Sequence, residues 1–441
     1  MQVEELPHAI AGVSTRVDAP NNSTLSVPQL IERFQRVRGF TESLCQSLVP
    51  EDYVIQSMPD VSPTKWHLAH TSWFFETFIL RPHLDDYFLF HKQFPFLFNS
   101  YYVQAGERHC RARRGLLSRP TVQEVYRYRS HVDEHMVTLL ERADETLFDM
   151  LAPLVEIGIH HEQQHQELML TDIKHVFSIN PLYPVYQEHA AGPQHVDTPI
   201  EWIPVREGVF EIGHPDNSFS FDNELPRHKT YIHEFSLASR LITNQEYLQF
   251  MEAGGYERPE LWLSAGWAMV QAESWTTPMY WEKKGDTWYQ FTLSGLRPVD
   301  LNEPVTHVSY FEADAFARWY GERLPTEQEW EVAAAQYACE GNFVDAAYYH
   351  PKAVRATEGE EAGLQQLFGE VWQWTQSQYT AYPGYKPAEG ALGEYNGKFM
   401  CNQFVLRGAS CATSRSHART TYRNFFPPDV RWQFTGIRLA R

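Results

Sequence analysis

The stretch His161-Glu162-Gln163-Gln164-His165, inside the run from Leu154 to Leu170, carries the strongest structural signal in the first half of the chain. On a helix, positions 154, 158, 161, 165, 168, 169 and 172 share one face. Imidazoles at i and i+4 are neighbours on a helix surface and can chelate one metal ion. Two histidines that only pack in a core would need other hydrogen-bond partners. The spacing therefore favours a metal-binding helix.

A third ligand must come from another segment. His67 and His70 follow a Ser62-Pro63 pair that is typical of a helix start, and they lead into an aromatic run. Spacing alone favours His70 only slightly over His67, and one of the two can ligate while the other supports it. His131 and His135 also lie four apart, but beside the apolar face of their helix, so we predict that they lie on its flank.

The same five residues fit H-E-x-x-H, the zinc-protease pattern in which Glu162 would be the general base. That pattern is short, and neither an H-x-x-G-x-x-H extension nor a downstream glutamate helix completes it. We therefore rank a metalloprotease low.

Composition limits the class of protein. The chain has 441 residues, which suits two or three domains, and a net charge of −19, which argues against nucleic-acid and membrane partners. No apolar run approaches the roughly 20 residues that span a bilayer, and no secretory signal is visible at the start. The five cysteines are scattered, which is typical of a reducing compartment. We expect a cytoplasmic protein with no obligate protein partner.

The pattern of apolar residues divides the chain. We predict that residues 1–27 are a mobile arm and that residues 28–185 form a bundle of four helices. The first helix runs from Leu30 to about Leu48, the second begins at Ser62, the third runs from about Val122 to Leu147, and the fourth contains His161. Residues 186–200 read as a linker. Residues 201–441 combine short strands with few helices, one of them starting at a capping box at Thr326. The predicted fold class is therefore an α domain followed by an α+β domain.

Several motifs occur in order along residues 30–441, and together they resemble the ergothioneine-biosynthesis sulfoxide synthases. The motifs are Trp66-His67-Leu68-Ala69-His70, Tyr101-Tyr102, Arg108 to Pro120, His161 to His165, Gly369 to Thr375, Arg407 to Ser410, Tyr422 to Phe426 and Arg431 to Arg438. The resemblance implies a DinB-like four-helix bundle joined to a C-type-lectin-like domain of the formylglycine-generating-enzyme (sulfatase-modifying-factor) type.

The resemblance also implies the reaction. Such an enzyme joins the sulfur of cysteine or γ-glutamylcysteine to imidazole C2 of hercynine (Nα-trimethylhistidine), with O2 as co-substrate and a sulfoxide as product. The metal would be Fe(II) on His70, His161 and His165. Three facial ligands leave open positions on iron, and an all-imidazole set keeps the site positive for a thiolate.

Further roles follow from the resemblance. The trimethylammonium group needs an aromatic surround, and the matching positions are Trp372, Trp374, Phe425 and Phe426. Gln164 and Asn424 match positions at the hercynine carboxylate or ammonium. Arg111 and Arg114 are candidates for the cysteine carboxylate. Tyr101 and Tyr102, with Tyr422 behind them, are candidates to donate a proton or hydrogen to the reacting oxygen.

Two positions depart from related patterns. Phe426 stands where members that use γ-glutamylcysteine carry an Asp, which favours free cysteine as the sulfur donor. Cys411 lacks the second cysteine of formylglycine-generating enzymes, which argues against copper-dependent chemistry in the second domain. Two alternatives stay open: a zinc-dependent thiol transferase or hydrolase, since imidazole suits zinc as well as iron, and a non-catalytic binding module.

Overall fold

The computed structural model describes residues 25–188, 198–354, 363–389 and 391–441. The predicted arm lies outside these residues except for its last three positions, as does most of the predicted linker. The first half is helical, as predicted. Its helices are α1 (Val27–Ser43), α2 (Thr64–Phe75), α3 (Arg81–His83), α4 (Phe94–Phe98), α5 (Val122–Arg142) and α6 (Glu145–Ser178), and a π-helical turn, Glu76–Leu80, joins α2 to α3.

Two predicted helix ends were placed too late. The first helix stops at Ser43, not near Leu48. The third was predicted to reach Leu147, but Leu147 lies in the first turn of α6, whose N-cap Asp144 accepts a hydrogen bond from the Leu147 amide. The apolar spacing continues across the two-residue link between α5 and α6, so periodicity alone did not reveal the break.

The four long helices form a bundle in which α1 and α2 each pack against both α5 and α6. In a simple up-and-down bundle, consecutive helices would be the main neighbours. Here the connection between α1 and α2, residues 44–63, is long enough for α2 to lie across the bundle from α1, with α5 and α6 between them. Every residue of α2 is buried, because the short helix α4 also packs on it.

A buried ion network lies inside the bundle. The Glu162 carboxylate accepts hydrogen bonds from Arg38 (2.8 Å), Arg129 (3.0 Å) and the Thr41 hydroxyl (2.7 Å). Arg38 also pairs with Asp133 at 2.7 Å. These guanidinium groups hold the pKa of Glu162 at about 2 despite burial, which raises it. The network ties α6 to α1 and α5.

The described residues of the second half form short strands and four helices, as the α+β prediction expected. The helices are α7 (Asn244–Glu252), α8 (Ser264–Glu273), α9 (Tyr310–Tyr320) and α10 (Glu327–Ala334). The strands are β1 (Trp202–Val205), β2 (Gly208–Ile212), β3 (His228–Ile232), β4 (Phe235–Ala238), β5 (Trp281–Lys284), β6 (Thr287–Thr292), β7 (Gly295–Pro298), β8 (Trp372–Gln378), β9 (Phe404–Gly408), β10 (Asn424–Phe426) and β11 (Thr435–Gly436). The predicted capping box is present, since Thr326 and Glu329 cap α10 reciprocally.

These described strands form four small sheets. The largest has the order β10-β9-β8-β11, antiparallel except for the parallel pair β8 and β11. β5, β6 and β7 form an antiparallel meander, and the pairs β1–β4 and β2–β3 are two-stranded. The segment 409–423, between β9 and β10, leaves the largest sheet and reaches α6.

Helix α6 joins the two halves. Gln163 donates to the hydroxyls of Ser414 (2.9 Å) and Ser416 (2.6 Å), and further along the helix Lys174 lies 2.6 Å from His307. One side of α6 therefore faces the bundle while the other faces the second domain, and its centre is buried nearly all round. In the part of the chain described here, no helix is long and apolar enough to cross a membrane.

Candidate metal centre and active site

Three histidines converge between α2 and α6. One ring nitrogen each of His70, His161 and His165 lies within 4.8 Å of the other two. Nε2 of His70 is 3.2 Å from Nε2 of His161. Imidazole nitrogens bound at about 2.1 Å to one ion lie roughly 3–4 Å apart, so the triad needs only small adjustments to hold a metal. The sequence-predicted ligands are thus brought together.

The surroundings of His70 fix its ring and its tautomer. Its ring stacks between Trp66 (centroids 4.5 Å apart) and Trp73 (5.4 Å). Its Nδ1 lies 2.6 Å from the Phe98 carbonyl oxygen, which can only accept a hydrogen bond. His70 Nδ1 must therefore carry the proton, which leaves the lone pair of Nε2 directed at His161.

A glycine allows the two helices to come this close. A Cβ at Gly158, three residues before His161, would lie 2.4 Å from Cε1 of Phe75 on α2. Any larger residue would push α6 from α2 and separate His161 from His70. Gly158 lies on the face that the sequence predicted for the two histidines.

The electrostatics of the triad favour neutral imidazoles. Burial lowers the pKa of His161 to about 3 and also lowers the pKa values of His70 and His165, each of which is further lowered by neighbouring histidines. Neutral imidazole is the form that binds metals. Nδ1 of His161 is buried and has no hydrogen-bond partner among the described residues. This donor set fits a divalent metal ion, with no carboxylate in the triad.

Glu162 does not face this site. Both of its carboxylate oxygens are bonded to groups of the buried ion network described above. Such a carboxylate cannot serve as the general base of a zinc protease. In this chain the glutamate of the H-E-x-x-H pattern therefore has a structural role, because its charge ties α6 to α1 and α5.

The second domain reaches the triad beside His165. Gln164 donates from its side-chain amide to the Tyr422 hydroxyl at 2.6 Å, and the Tyr422 ring lies 5.3 Å from that of Trp372. The Trp372 indole N–H donates to Glu167 at 2.7 Å. Gln164, Tyr422 and Trp372, all predicted from the sequence, thus form one wall next to the triad.

An aromatic group from both domains reaches the triad through Trp73, which stacks on His70 and lies 5.5 Å from the Tyr102 ring. The Tyr101 and Tyr102 rings stack at 4.5 Å, with their hydroxyl oxygens 3.4 Å apart. Phe399 contacts Tyr101 (5.0 Å) and Phe425 (5.8 Å), and so links the predicted tyrosine pair to one of the predicted hercynine-binding positions.

The two predicted arginines differ in their surroundings. Arg114 is buried, its guanidinium carbon is 3.3 Å from the ring centroid of Trp66, and it donates to the Ser62 hydroxyl at 2.9 Å. Burial lowers its pKa. No carboxylate within the described ranges forms a direct ion pair with it, which suits a group that receives an anion. Arg111 is 55% exposed and binds the Asp60 carbonyl oxygen.

Three other predicted residues make their contacts within the second domain. Trp374 is in the core of the second domain, with its indole N–H bonded to the Val308 carbonyl oxygen at 2.9 Å. The side-chain oxygen of Asn424 accepts from the Phe425 amide. Phe426 packs half-buried against the core of the second domain. None of these contacts reaches a triad histidine.

Two neighbours of the triad were not singled out as site residues. Tyr395 is buried with its ring 5.8 Å from that of His161, and its hydroxyl has no partner among the residues described. It comes from an irregular segment where no periodicity points to it. His160 turns away from the triad and is buried against Phe219 and His417 of the second domain. His131 and His135 lie half-buried on the flank of α5, as predicted.

Comparison with known proteins agrees with this architecture. Residues 33–169 match the DinB superfamily, and residues 187–441 match the sulfatase-modifying factor enzyme 1-like domain. A protein of Mycolicibacterium thermoresistibile named hercynine oxygenase is 31% identical over 421 residues, which cover 87% of this chain and 88% of that protein.

Two further relatives carry related names. The hercynine oxygenase of Mycobacterium tuberculosis is 31% identical over 331 residues, or 71% of this chain and 75% of the relative. Ergothioneine biosynthesis protein 1 of Schizosaccharomyces pombe is 28% identical over 239 residues, 51% of this chain and 28% of that protein. The family and fold class predicted from the motifs are therefore confirmed, and the chain belongs to the hercynine oxygenase family.

Proposed function

We propose that this protein is an iron(II)-dependent sulfoxide synthase of ergothioneine biosynthesis. It joins the sulfur of cysteine to imidazole C2 of hercynine, with γ-glutamylcysteine as the other candidate donor. One O2 takes up the two hydrogens lost from C2–H and S–H as water and supplies the sulfoxide oxygen. The observation that carries this proposal is the all-imidazole triad, enclosed by residues of both domains.

His70, His161 and His165 would hold the iron. When bound, Fe(II) supplies open coordination positions for a thiolate, an imidazole and O2. The chain's own contribution is to keep three imidazoles neutral and convergent, through burial and through the Phe98 carbonyl oxygen that binds His70. Because no carboxylate is in the triad, the centre keeps the full charge of the metal, which favours binding of the anionic thiolate.

The walls of the site would orient the two substrates. Arg114, buried and without a direct ion pair among the described side chains, is the candidate partner of the cysteine carboxylate. Gln164 and Asn424 are the candidates to bind the carboxylate or ammonium region of hercynine, through bridging water molecules. Trp372, beside Tyr422, and Phe425, beside Phe399, are the first candidates to surround the trimethylammonium group, and Trp374 and Phe426 are the other two.

The tyrosine pair would handle protons. Tyr101 and Tyr102 stack with their hydroxyl groups side by side, so one phenol can donate while the other resupplies it. Tyr422 is engaged by Gln164 and is better placed to hold substrate than to donate.

Oxygen uptake tests this function. The iron-loaded protein should consume O2 only when hercynine and a thiol are both present, and His161→Ala should abolish uptake. The faster of cysteine and γ-glutamylcysteine identifies the sulfur donor. Iron that binds without any uptake would reject the synthase and favour a zinc-dependent thiol transferase.

A further inference from the structure

His67 lies one turn before His70 on α2, and both of its ring nitrogens are engaged. Nδ1 is 2.8 Å from Nδ1 of His165, and Nε2 is 2.9 Å from Oδ2 of Asp172. The same Asp172 oxygen accepts from the Ser62 amide at 2.8 Å. His67 and Asp172 are both buried. His67 therefore has no nitrogen left for a metal, which separates it from His70.

The direction of both hydrogen bonds follows from the Asp172 carboxylate at one end of the series. An ionised Asp172 can only accept, so Nε2 of His67 carries a proton. In neutral His67, Nδ1 is then an acceptor, and the proton between the two rings belongs to Nδ1 of His165. The lone pair of His165 consequently lies on Nε2, the nitrogen on the far side of the ring from His67. A single carboxylate thus fixes the tautomers of two histidines in series.

The geometry of α6 makes this arrangement self-consistent. Asp172 follows His165 by seven residues, two turns along one face of the same helix. His67 from α2 fills the space between them. His70 has its own carbonyl partner, whereas Nδ1 of His161 has none. His165 is thus the ligand whose orientation depends on a chain of side chains.

We propose that His67 and Asp172 are positioning residues that orient His165 as a metal ligand, in the arrangement carboxylate–imidazole–imidazole. This inference rests on the proposed metal centre. In the commoner arrangement a carboxylate bonds directly to the ligating histidine. Here an extra imidazole holds the negative charge one ring further away. The orientation is kept while the centre stays electropositive enough for a thiolate and an anionic substrate.

Anaerobic titration of the metal-free protein with Co(II), followed by its visible absorption, tests the proposal without turnover. His67→Phe keeps the ring but removes the acceptor, and we expect Co(II) affinity to fall about 10–100-fold, with an altered absorption spectrum. His67→Asn restores an acceptor at the position of Nδ1 and should bring the affinity back to within a few-fold of wild type. His175→Phe is the matched control, because His175 is a buried histidine on α6, the helix of His165 and Asp172, and bonds to Ser57 instead. It should bind Co(II) as wild type does.

The outcomes separate the two proposals. If His161→Ala loses Co(II) while His67→Phe binds it normally, the positioning role is wrong and the metal centre stands. If neither substitution changes binding, the metal centre itself is wrong. Equal losses in His67→Phe and His67→Asn would reduce His67 to a packing role and overturn the inference. Should His67→Phe not fold, Asp172→Leu against Asp172→Asn makes the same comparison, because only the asparagine can still accept from His67.

Discussion

The side-chain amide of Gln164 donates to the Tyr422 hydroxyl at 2.6 Å, so the residue next to the proposed ligand His165 is bonded to the second domain. The two halves of the protein meet at the place where the substrates are proposed to bind. Helix α6 therefore carries two of the three proposed metal ligands together with Gln164, the residue that joins it to the proposed substrate wall.

The Gln164–Tyr422 contact should couple the two residues in catalysis. Gln164→Ala and Tyr422→Phe should each lower kcat/KM for hercynine, and the double variant should lose less than the sum. A coupling of about 1 kcal/mol is expected for one buried hydrogen bond. Steady-state oxygen uptake measures it, and metal content should stay at the wild-type level in all three variants. Strict additivity would mean that the two side chains act separately.

Arg114 and Arg111 should differ sharply although they look alike in the sequence. Arg114→Gln should raise the KM for cysteine at least about tenfold, since a buried charged hydrogen bond contributes about 1.5–3 kcal/mol. Arg111→Gln should change it less than about twofold, because an exposed arginine contributes little. Initial rates over a range of cysteine concentrations decide this. The reverse order would assign the carboxylate to Arg111.

Glu162 should matter for stability. Glu162→Gln leaves Arg38 and Arg129 buried with weakened compensation, and it should lower the free energy of unfolding by about 3–5 kcal/mol. Glu167→Gln is the matched control on the same helix, since Glu167 is bonded only to neutral donors. It should change stability by less than about 1 kcal/mol. A Glu162→Gln variant of normal stability that lacks activity would instead revive the general-base interpretation.

Lys174 should make stability depend on pH. It is buried between the bundle and the second domain, 2.6 Å from His307, and burial lowers its pKa from 10.5 to about 7. Between these values the unfolded chain binds a proton that the folded chain lacks. The energetic cost of burying Lys174 is therefore complete below pH 7 and declines as pH rises.

Lys174→Met should remove that dependence. The variant's gain in stability over wild type should shrink by about 1.4 kcal/mol per pH unit as the pH rises from 7 to 9. Urea unfolding at several pH values provides the measurement. The neighbouring His307 stays neutral over this pH range in both proteins, because burial lowers its pKa, so the difference reports on Lys174. A gain that stays constant with pH would mean that Lys174 is charged in the fold.

The sequence predicted those features that depend on local spacing. The i, i+4 pair His161/His165 and the Thr326 capping box are set by neighbours along the chain, and both were predicted at the right residues. The family motifs added His70 and the Gln164–Tyr422–Trp372 wall. Spacing alone left His67 and His70 open, because the choice depends on Asp172, more than a hundred residues away.

Other features could not be read from the chain. Arg111 and Arg114 lie in one arginine-rich run, yet Arg111 is exposed and Arg114 is buried. The difference arises from tertiary packing, because only Arg114 stacks on Trp66. Tyr395 belongs to a segment without periodicity, and its place beside His161 is fixed by packing on Phe221. The outward face of α6 reads as polar surface, yet it is buried because a second domain covers it.

Helix α6 limits how this protein can change by recombination. It is 34 residues long and presents two proposed metal ligands on one side and the docking groups Gln163 and Lys174 on the other. Inserting one residue between His165 and Lys174 would rotate Lys174 by about 100° relative to both the proposed ligands and Gln163. The two halves are therefore not interchangeable modules. A hybrid with another second domain would retain a working centre only if the outward side of α6 were exchanged along with that domain.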